Sequence, residues 1–156
     1  MDPNDPNSMQ PAGARSTAQA LEIAFADVPV AGPDAIEPTF ARLATEGFGA
    51  ALVGGSMFFN ERARVGRAAL NNKIATMSFI AEMVPYGLLM TYGPDFVEFF
   101  RLSAGLVFKI LKGTKPAYVP IEQPTRIKQV VNLKVARAFN LTAPASLLIT
   151  SDVVLE

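Results

Sequence analysis

Three short stretches carry the side chains best suited to chemistry. Gly54-Gly55-Ser56 offers backbone N–H groups and a hydroxyl close to a predicted helix start, a combination that can hold a carboxylate or carbonyl oxygen. Met57-Phe58-Phe59 follows directly and supplies apolar surface on which a ligand can stack, while Phe79 and Tyr92 each end a predicted strand. Tyr92 is the strongest single candidate, because its hydroxyl can orient a ligand while its ring packs against one. Ser56, Met57, Phe58, Phe79 and Tyr92 together form the predicted ligand-binding set. The competing readings are structural: a strand-to-helix turn that needs glycine conformations, core packing for the aromatic run, and a strand-end tyrosine hydrogen-bonded at a hinge.

What the chain lacks narrows the chemistry further. It has no cysteine and no histidine, which removes disulfides, thiol nucleophiles, imidazole bases and most zinc or haem sites. Ser56 has no GxSxG context, and neither GxxxxGK[ST] nor GxGxxG occurs, so acyl transfer and phosphate-loop chemistry are not expected. Asp27, Glu82 and Asp95 are scattered among elements and make no metal triad. Arg62, Arg64 and Arg67 sit near one another on one predicted helix, as an anion patch or, more simply, a solvated face. The expectation is a binding protein, not an enzyme, with no catalytic residue, no metal and no cofactor. Fourteen basic and fourteen acidic residues leave no net field to attract nucleic acid or anionic membrane.

The elements that position these residues follow a strand-helix rhythm. Residues 1–14, rich in Asp, Asn, Pro and Gly, read as a lead-in or, more sharply, Asn7-Ser8 caps a helix that is interrupted early by Pro11 and Gly13 and runs through Arg15 to Leu21. Ile23, Phe25 and Val28 suggest a strand. Gly32-Pro33-Asp34 turns into a helix in which Asp34 and Glu37 have capping-box spacing and Ile36, Phe40, Leu43 and Ala44 form the buried face. Residues 50–53 form an apolar run of the kind expected for a strand covered on both faces. A helix over 60–72, a strand over 74–79, a short helix over 81–86 and a strand over 88–92 follow. Strands separated by helices predict parallel pairing and an α/β three-layer sandwich with a mainly parallel sheet.

Gly93-Pro94-Asp95 supplies a turn, a helix-starting proline and an acid for the positive end of a long helix over 95–112. Glu98, Arg101, Lys109 and Lys112 fall on one polar stripe of that helix, and its other sides are apolar. Gly113 and Pro116 end it. Residues 114–125 are punctuated by prolines, 126–131 alternate as an edge strand would, and Asn132 caps a short helix through Phe139.

Tyr92-Gly93-Pro94-Asp95, Arg101, Ile110-Leu111-Lys112-Gly113-Thr114-Lys115-Pro116, Pro120-Ile121-Glu122-Gln123-Pro124-Thr125 and Val131-Asn132-Leu133-Lys134-Val135-Ala136 occur in that order. This series resembles a bacterial family of ABC-transporter substrate-binding proteins, whose pattern runs YGPD, an arginine, ILKGxKPxxxPVEQPT, a strand and NLKxAKxLGLTxPxSLL. The match continues to Leu148 with Ile121, Arg137 and Asn140 as departures, and Asn4-Asp5-Pro6-Asn7-Ser8 stands near the family's NPxNP turn. The resemblance implies a periplasmic-binding-protein-like lobe over 15–92 and a segment over 93–156 that in the family packs on a first lobe. These residues correspond to the second lobe and the C-terminal part alone.

It also implies a solute-binding component, or a fragment of one, of an ABC-type importer that captures a small organic solute such as an amino acid by hinge closure. An ABC permease is the implied partner of an exported, complete protein. The alternative is a ligand-sensing or structural oligomerisation module with the same lobe. The 156 residues contain no signal peptide, so as written the chain is expected to be unexported and cytoplasmic. As part of a longer exported precursor it would be periplasmic or lipid-anchored. With the first lobe unmatched, the helix over 95–112 is expected to hold a homodimer together.

Overall fold

The computed structural model describes residues 10–122 and 125–156. Five strands form one sheet in the order β1 (Ala50–Val53), β2 (Ala75–Ser78), β3 (Met90–Pro94), β4 (Ile127–Asn132) and β5 (Val153–Leu155). All neighbours are parallel except β3 and β4. The helices α1 (Gln10–Ala20), α2 (Ile36–Thr45), α3 (Ser56–Asn60), α4 (Arg62–Asn71), α5 (Phe96–Leu111), α6 (Leu133–Ala138) and α7 (Ala145–Thr150) surround it. This is the expected α/β sandwich on a mainly parallel sheet.

The main core lies against β1 and β2. Ile36, Phe40 and Leu43, one helical face of α2, meet Val65, Ala68 and Ala69 of α4 and Met83 of the short 3-10 helix Ala81–Tyr86. Small residues let α4 come close. An added Cβ at Gly66 would lie 1.7 Å from the Tyr86 carbonyl oxygen, so only glycine admits this backbone contact.

Several expectations are corrected. No strand forms over 23–31: a strand requires a ladder, and β1 stands at the end of the sheet with β2 as its neighbour. The stretch is instead tied to α1, where Arg15 pairs with Asp27 and lies over the Phe25 ring. As an end strand β1 is not covered on both faces, and Leu52 is 62% exposed. The capping box at Asp34 and Glu37 does not form, because both carboxylates turn to Arg64, at 3.1 and 3.3 Å. The helix expected over 60–72 is α4, Arg62–Asn71, and the short α3 before it, Ser56–Asn60, was not expected.

β4 is internal rather than an edge strand. Its Gln129, Val130, Val131 and Asn132 are all buried, because α7 and β5, which the sequence pattern did not suggest, cover its far side. Gln129 Nε2 donates to the Leu147 carbonyl at 3.1 Å and to Ser151 Oγ at 3.0 Å, fastening α7. Asn132 caps α6 as expected, its Oδ1 accepting from the Lys134 and Val135 N–H groups while Nδ2 donates to the Val84 carbonyl. The cap expected at Asn7-Ser8 lies outside the described residues. Among the described residues α1 covers Gln10–Ala20, and the interruption expected at Pro11 and Gly13 does not occur.

α5 follows its sequence signals closely. Asp95 Oδ1 accepts from the Val97 and Glu98 N–H groups at 3.0 and 3.3 Å. At the other end Gly113 takes φ +99°, and the Gly113 and Thr114 N–H groups bond back to the Ile110 and Lys109 carbonyls, closing the helix with a left-handed cap. No residue of α5 is buried.

Candidate functional site

Parallel pairing brings the carboxyl ends of β1, β2 and β3 to one edge of the sheet, where open α/β sheets take ligands. The register sets Val53 beside Ser78 and Ser78 beside Thr91. The next residue of each strand therefore falls in one row: Gly54, Phe79 and Tyr92. Across the antiparallel junction Gln129 pairs with Tyr92 and Lys128 with Gly93. Gly93 is required here, since a Cβ would lie 2.1 Å from the Phe79 carbonyl oxygen. That close approach sets the Phe79 backbone against β3, beside the residue that follows Tyr92.

The five predicted residues take three different positions. Ser56 is exposed at the start of α3, entered through Gly55 at φ +114°. Met57 and Phe79 are half-buried and pack against the core cluster, each with a free side. Phe58 is 7% exposed and belongs to the core itself, so its ring supports the rim from beneath. Tyr92 stands out at 52% exposure. Along this edge Met57, Phe79 and Tyr92 offer apolar surface, and Ser56 and Tyr92 carry hydroxyls. Two hollows of the described chain lie elsewhere, one beside Tyr86, Gly87 and Lys134 at the opposite edge, and one along α5.

Beside the rim stands a feature that sequence reasoning missed. The chain leaves β3 through Asp95 and re-enters the sheet through Arg126, and these two crossings are bonded: the Asp95 N–H donates to the Arg126 carbonyl at 3.1 Å. Asp95 Oδ2 also lies 3.6 Å from Arg126 Nε. The Asp95 carboxyl is held below its ordinary pKa, chiefly by the hydrogen bond from the Glu98 N–H, with Lys128, the Val97 N–H and Arg126 adding to it against the opposing effect of burial. The available signal was the pair of basic residues, Arg126 and Lys128, bracketing a predicted strand start.

The three arginines do not converge into an anion site. Arg64 is gripped by Asp34, Glu37 and Glu61, and the hydrogen bond to Asp34 is the main reason its pKa is raised. Arg62 lies over the Phe59 and Tyr86 rings, with centroids at 5.0 and 4.7 Å, and donates to the Phe59 carbonyl. Arg67 is exposed. Among the described residues no group of three His, Cys, Asp or Glu side chains is placed to hold a metal, and no helix is long and apolar enough to cross a membrane.

Comparison with known proteins adds the following. A family model described as ABC transporter substrate binding protein matches residues 58–155. No curated protein matches the sequence. Among solved structures, the ABC domain in complex with L-Trp from Streptococcus pneumonia aligns with a TM-score of 0.88 at 20% identity, over 99% of this chain and 52% of that one. A conserved domain protein from Vibrio cholerae O1 biovar El Tor aligns at 0.85 and 17% identity, over 98% and 52%. The ligand-free, open structure of a substrate binding protein with adhesive properties from Clostridium difficile aligns at 0.69 and 16% identity, over 99% and 52%. The chain therefore spans about half the length of these structures, and the likeness is one of fold.

Proposed function

Because the chain belongs to the ABC transporter substrate-binding protein family, we propose that its strand-end rim captures a small organic solute as one wall of a closing cleft. The observation that carries this reading is the shared carboxyl edge of β1, β2 and β3, whose register sets Val53 beside Ser78 and Ser78 beside Thr91, one residue short of Gly54, Phe79 and Tyr92. In the proposed pose the solute lies against Ser56, Met57, Phe79 and Tyr92, with Phe58 bracing the rim from the core. The L-Trp complex of a relative points to amino acids, aromatic ones first, as the solute class. Residues 15–92 are the capturing lobe, and 93–156 form an arm that leaves it in α5 and returns in β4. The step is binding by closure about the Asp95 and Arg126 crossings, with no bond made or broken. Delivery to an ABC permease outside the cytoplasm is the proposed role.

Calorimetric titration of the chain with tryptophan, phenylalanine, tyrosine and leucine tests the reading. Binding of at least one is expected, and Tyr92→Ala should weaken it by about 1 to 3 kcal/mol, the worth of a buried aromatic anchor. Unchanged affinity in Tyr92→Ala would refute the site, and no binding by the parent chain would refute capture by this lobe.

A further inference from the structure

Gln129 is only 9% exposed, and its side-chain amide is held from one side alone. Nε2 donates to the Leu147 carbonyl at 3.1 Å, to Ser151 Oγ at 3.0 Å and to Thr150 Oγ1 at 3.3 Å. A carbonyl can only accept, so Leu147 fixes which arm of the amide is nitrogen. Oε1 is the other arm, and none of the described residues donates to it. The buried side-chain atoms that are both enclosed and unpaired are Thr76 Oγ1 and Thr91 Oγ1, so Oε1 reaches solvent. The backbone of Gln129 sets this amide beside the rim. Its N–H donates to Asp152 Oδ2 at 2.8 Å and its carbonyl accepts from the Asp152 N–H at 2.9 Å, so both groups face β5. Tyr92 and Gln129 are therefore a non-hydrogen-bonded pair of the antiparallel ladder, the kind whose Cα atoms stand about 4.5 Å apart and whose side chains are closest. Both side chains leave the same face of the sheet, as direct cross-strand neighbours.

We propose that Gln129 is a ligand-binding residue of the rim, its Oε1 accepting a hydrogen bond from the ammonium group of the solute while Tyr92 packs against the solute's apolar part. This rests on the capture reading above and names the group that is recognised. A largely buried amide oxygen without a donor is costly, and a donor arriving with the solute removes that cost. The amide is already ordered by its contacts to three acceptors, so little side-chain freedom is left to lose when the solute binds. An ammonium carries donors alone, and its charge makes the bond about twice as strong as a neutral one. A carboxylate has no proton to give Oε1 and is not taken there. The rim thus selects solutes that bear an amine next to an apolar side chain.

Calorimetry with matched pairs, tryptophan against indolepropionate and phenylalanine against phenylpropionate, reads the amine alone. An amino acid that binds should do so about tenfold more tightly than its des-amino partner, as expected for a hydrogen bond to a charged group. Gln129→Met, which keeps the length of the side chain and loses the amide, should bring that ratio to about one. A structural role alone, through the hold on α7, would weaken both partners alike and preserve the ratio, which overturns the proposal. A second measurement needs no variant: in the parent chain the Gln129 side-chain amide signal, followed by nuclear magnetic resonance, should move further with the amino acid than with its des-amino partner. Equal movement, or none, overturns the proposal. Equal affinity of the parent chain for the two partners overturns the role of Gln129 and leaves capture at the rim standing, whereas a parent chain that binds no amino acid overturns both.

Discussion

Two helical glycines should respond to the same substitution with opposite signs. Gly66 is inside α4 and Gly105 inside α5, so exchanging either for alanine gains the same helix propensity, about 1 kcal/mol. Their surroundings differ completely. At Gly105 nothing lies within 4 Å of the new methyl, and the gain should stand alone. At Gly66 the methyl would sit 1.7 Å from the Tyr86 carbonyl oxygen and 2.6 Å from its carbon, and both obstacles are backbone. α4 must retreat from the 3-10 helix by more than an ångström, which also opens the contact of Leu70 with Gly87. Overpacking against backbone belongs at the upper end of the usual range, about 3 kcal/mol, so the net loss is about 2 kcal/mol after the propensity gain. At about 2 to 4 °C per kcal/mol for a chain of this size, Gly66→Ala should melt about 4 to 8 °C lower and Gly105→Ala about 2 to 4 °C higher. Thermal melts followed by circular dichroism at one protein concentration give the comparison. Equal shifts for the two variants, or a rise for Gly66→Ala, would show that close contact between α4 and the 3-10 helix does not decide the choice of glycine.

Asp95 makes α5 acid-labile. Its folded pKa lies below the ordinary 3.8, so the unfolded chain binds the proton more readily; the stabilisation is complete above about that pH and fades as pH falls through the lower folded value. Helix content should therefore hold down to about pH 3.8 and fall below it, and Asp95→Asn, which keeps the cap acceptor without the titrating charge, should remove that phase; an unchanged acid profile would contradict it. Asn132→Ala should cost about 2 kcal/mol in urea denaturation, since it removes both the cap of α6 and the buried bond to the Val84 carbonyl. Asn132→Asp, which keeps the acceptor but sets a buried charge against that carbonyl, should cost more, and equal stability of the two variants would refute the role of the donor.

What the sequence revealed was mostly what local chemistry decides. Gly93-Pro94-Asp95 and Gly113 mark the ends of α5 because cap geometry is written in a few adjacent residues, and Asn132 marks α6 for the same reason. Strand β3 starts at Met90 rather than Leu88, because Leu88 is fully buried in the core and apolar character alone does not distinguish ladder from core. The stretch from Ile23 to Val28 has strand composition without a ladder, and β4 has edge-like alternation inside a sheet. Both depend on distant neighbours, which no local pattern contains. At the rim, Ser56, Phe79 and Tyr92 were legible as strand and helix ends. Phe58 was not separable from its neighbours, since an aromatic run beside a turn looks the same whether a ring faces core or solvent. Arg126 escaped notice because its value lies in standing against Asp95, thirty-one residues away in the chain.

The junction of β3 and β4 has a topological consequence. Their ladder runs from Met90 and Val131 to Pro94 and Ile127, and the Asp95 to Arg126 bond lies one step beyond, so the two strands form a hairpin whose loop is the 32 residues 95–126. Closing a loop costs only about 0.6 kcal/mol for each doubling of length, so a four-residue turn in its place would lower the closure cost by about 2 kcal/mol. Nothing in α5 is buried, and the strands already meet at the loop's base. The excursion is therefore a graft on a hairpin: its length, its helix and the surface it offers can all change while every register in the sheet stays the same.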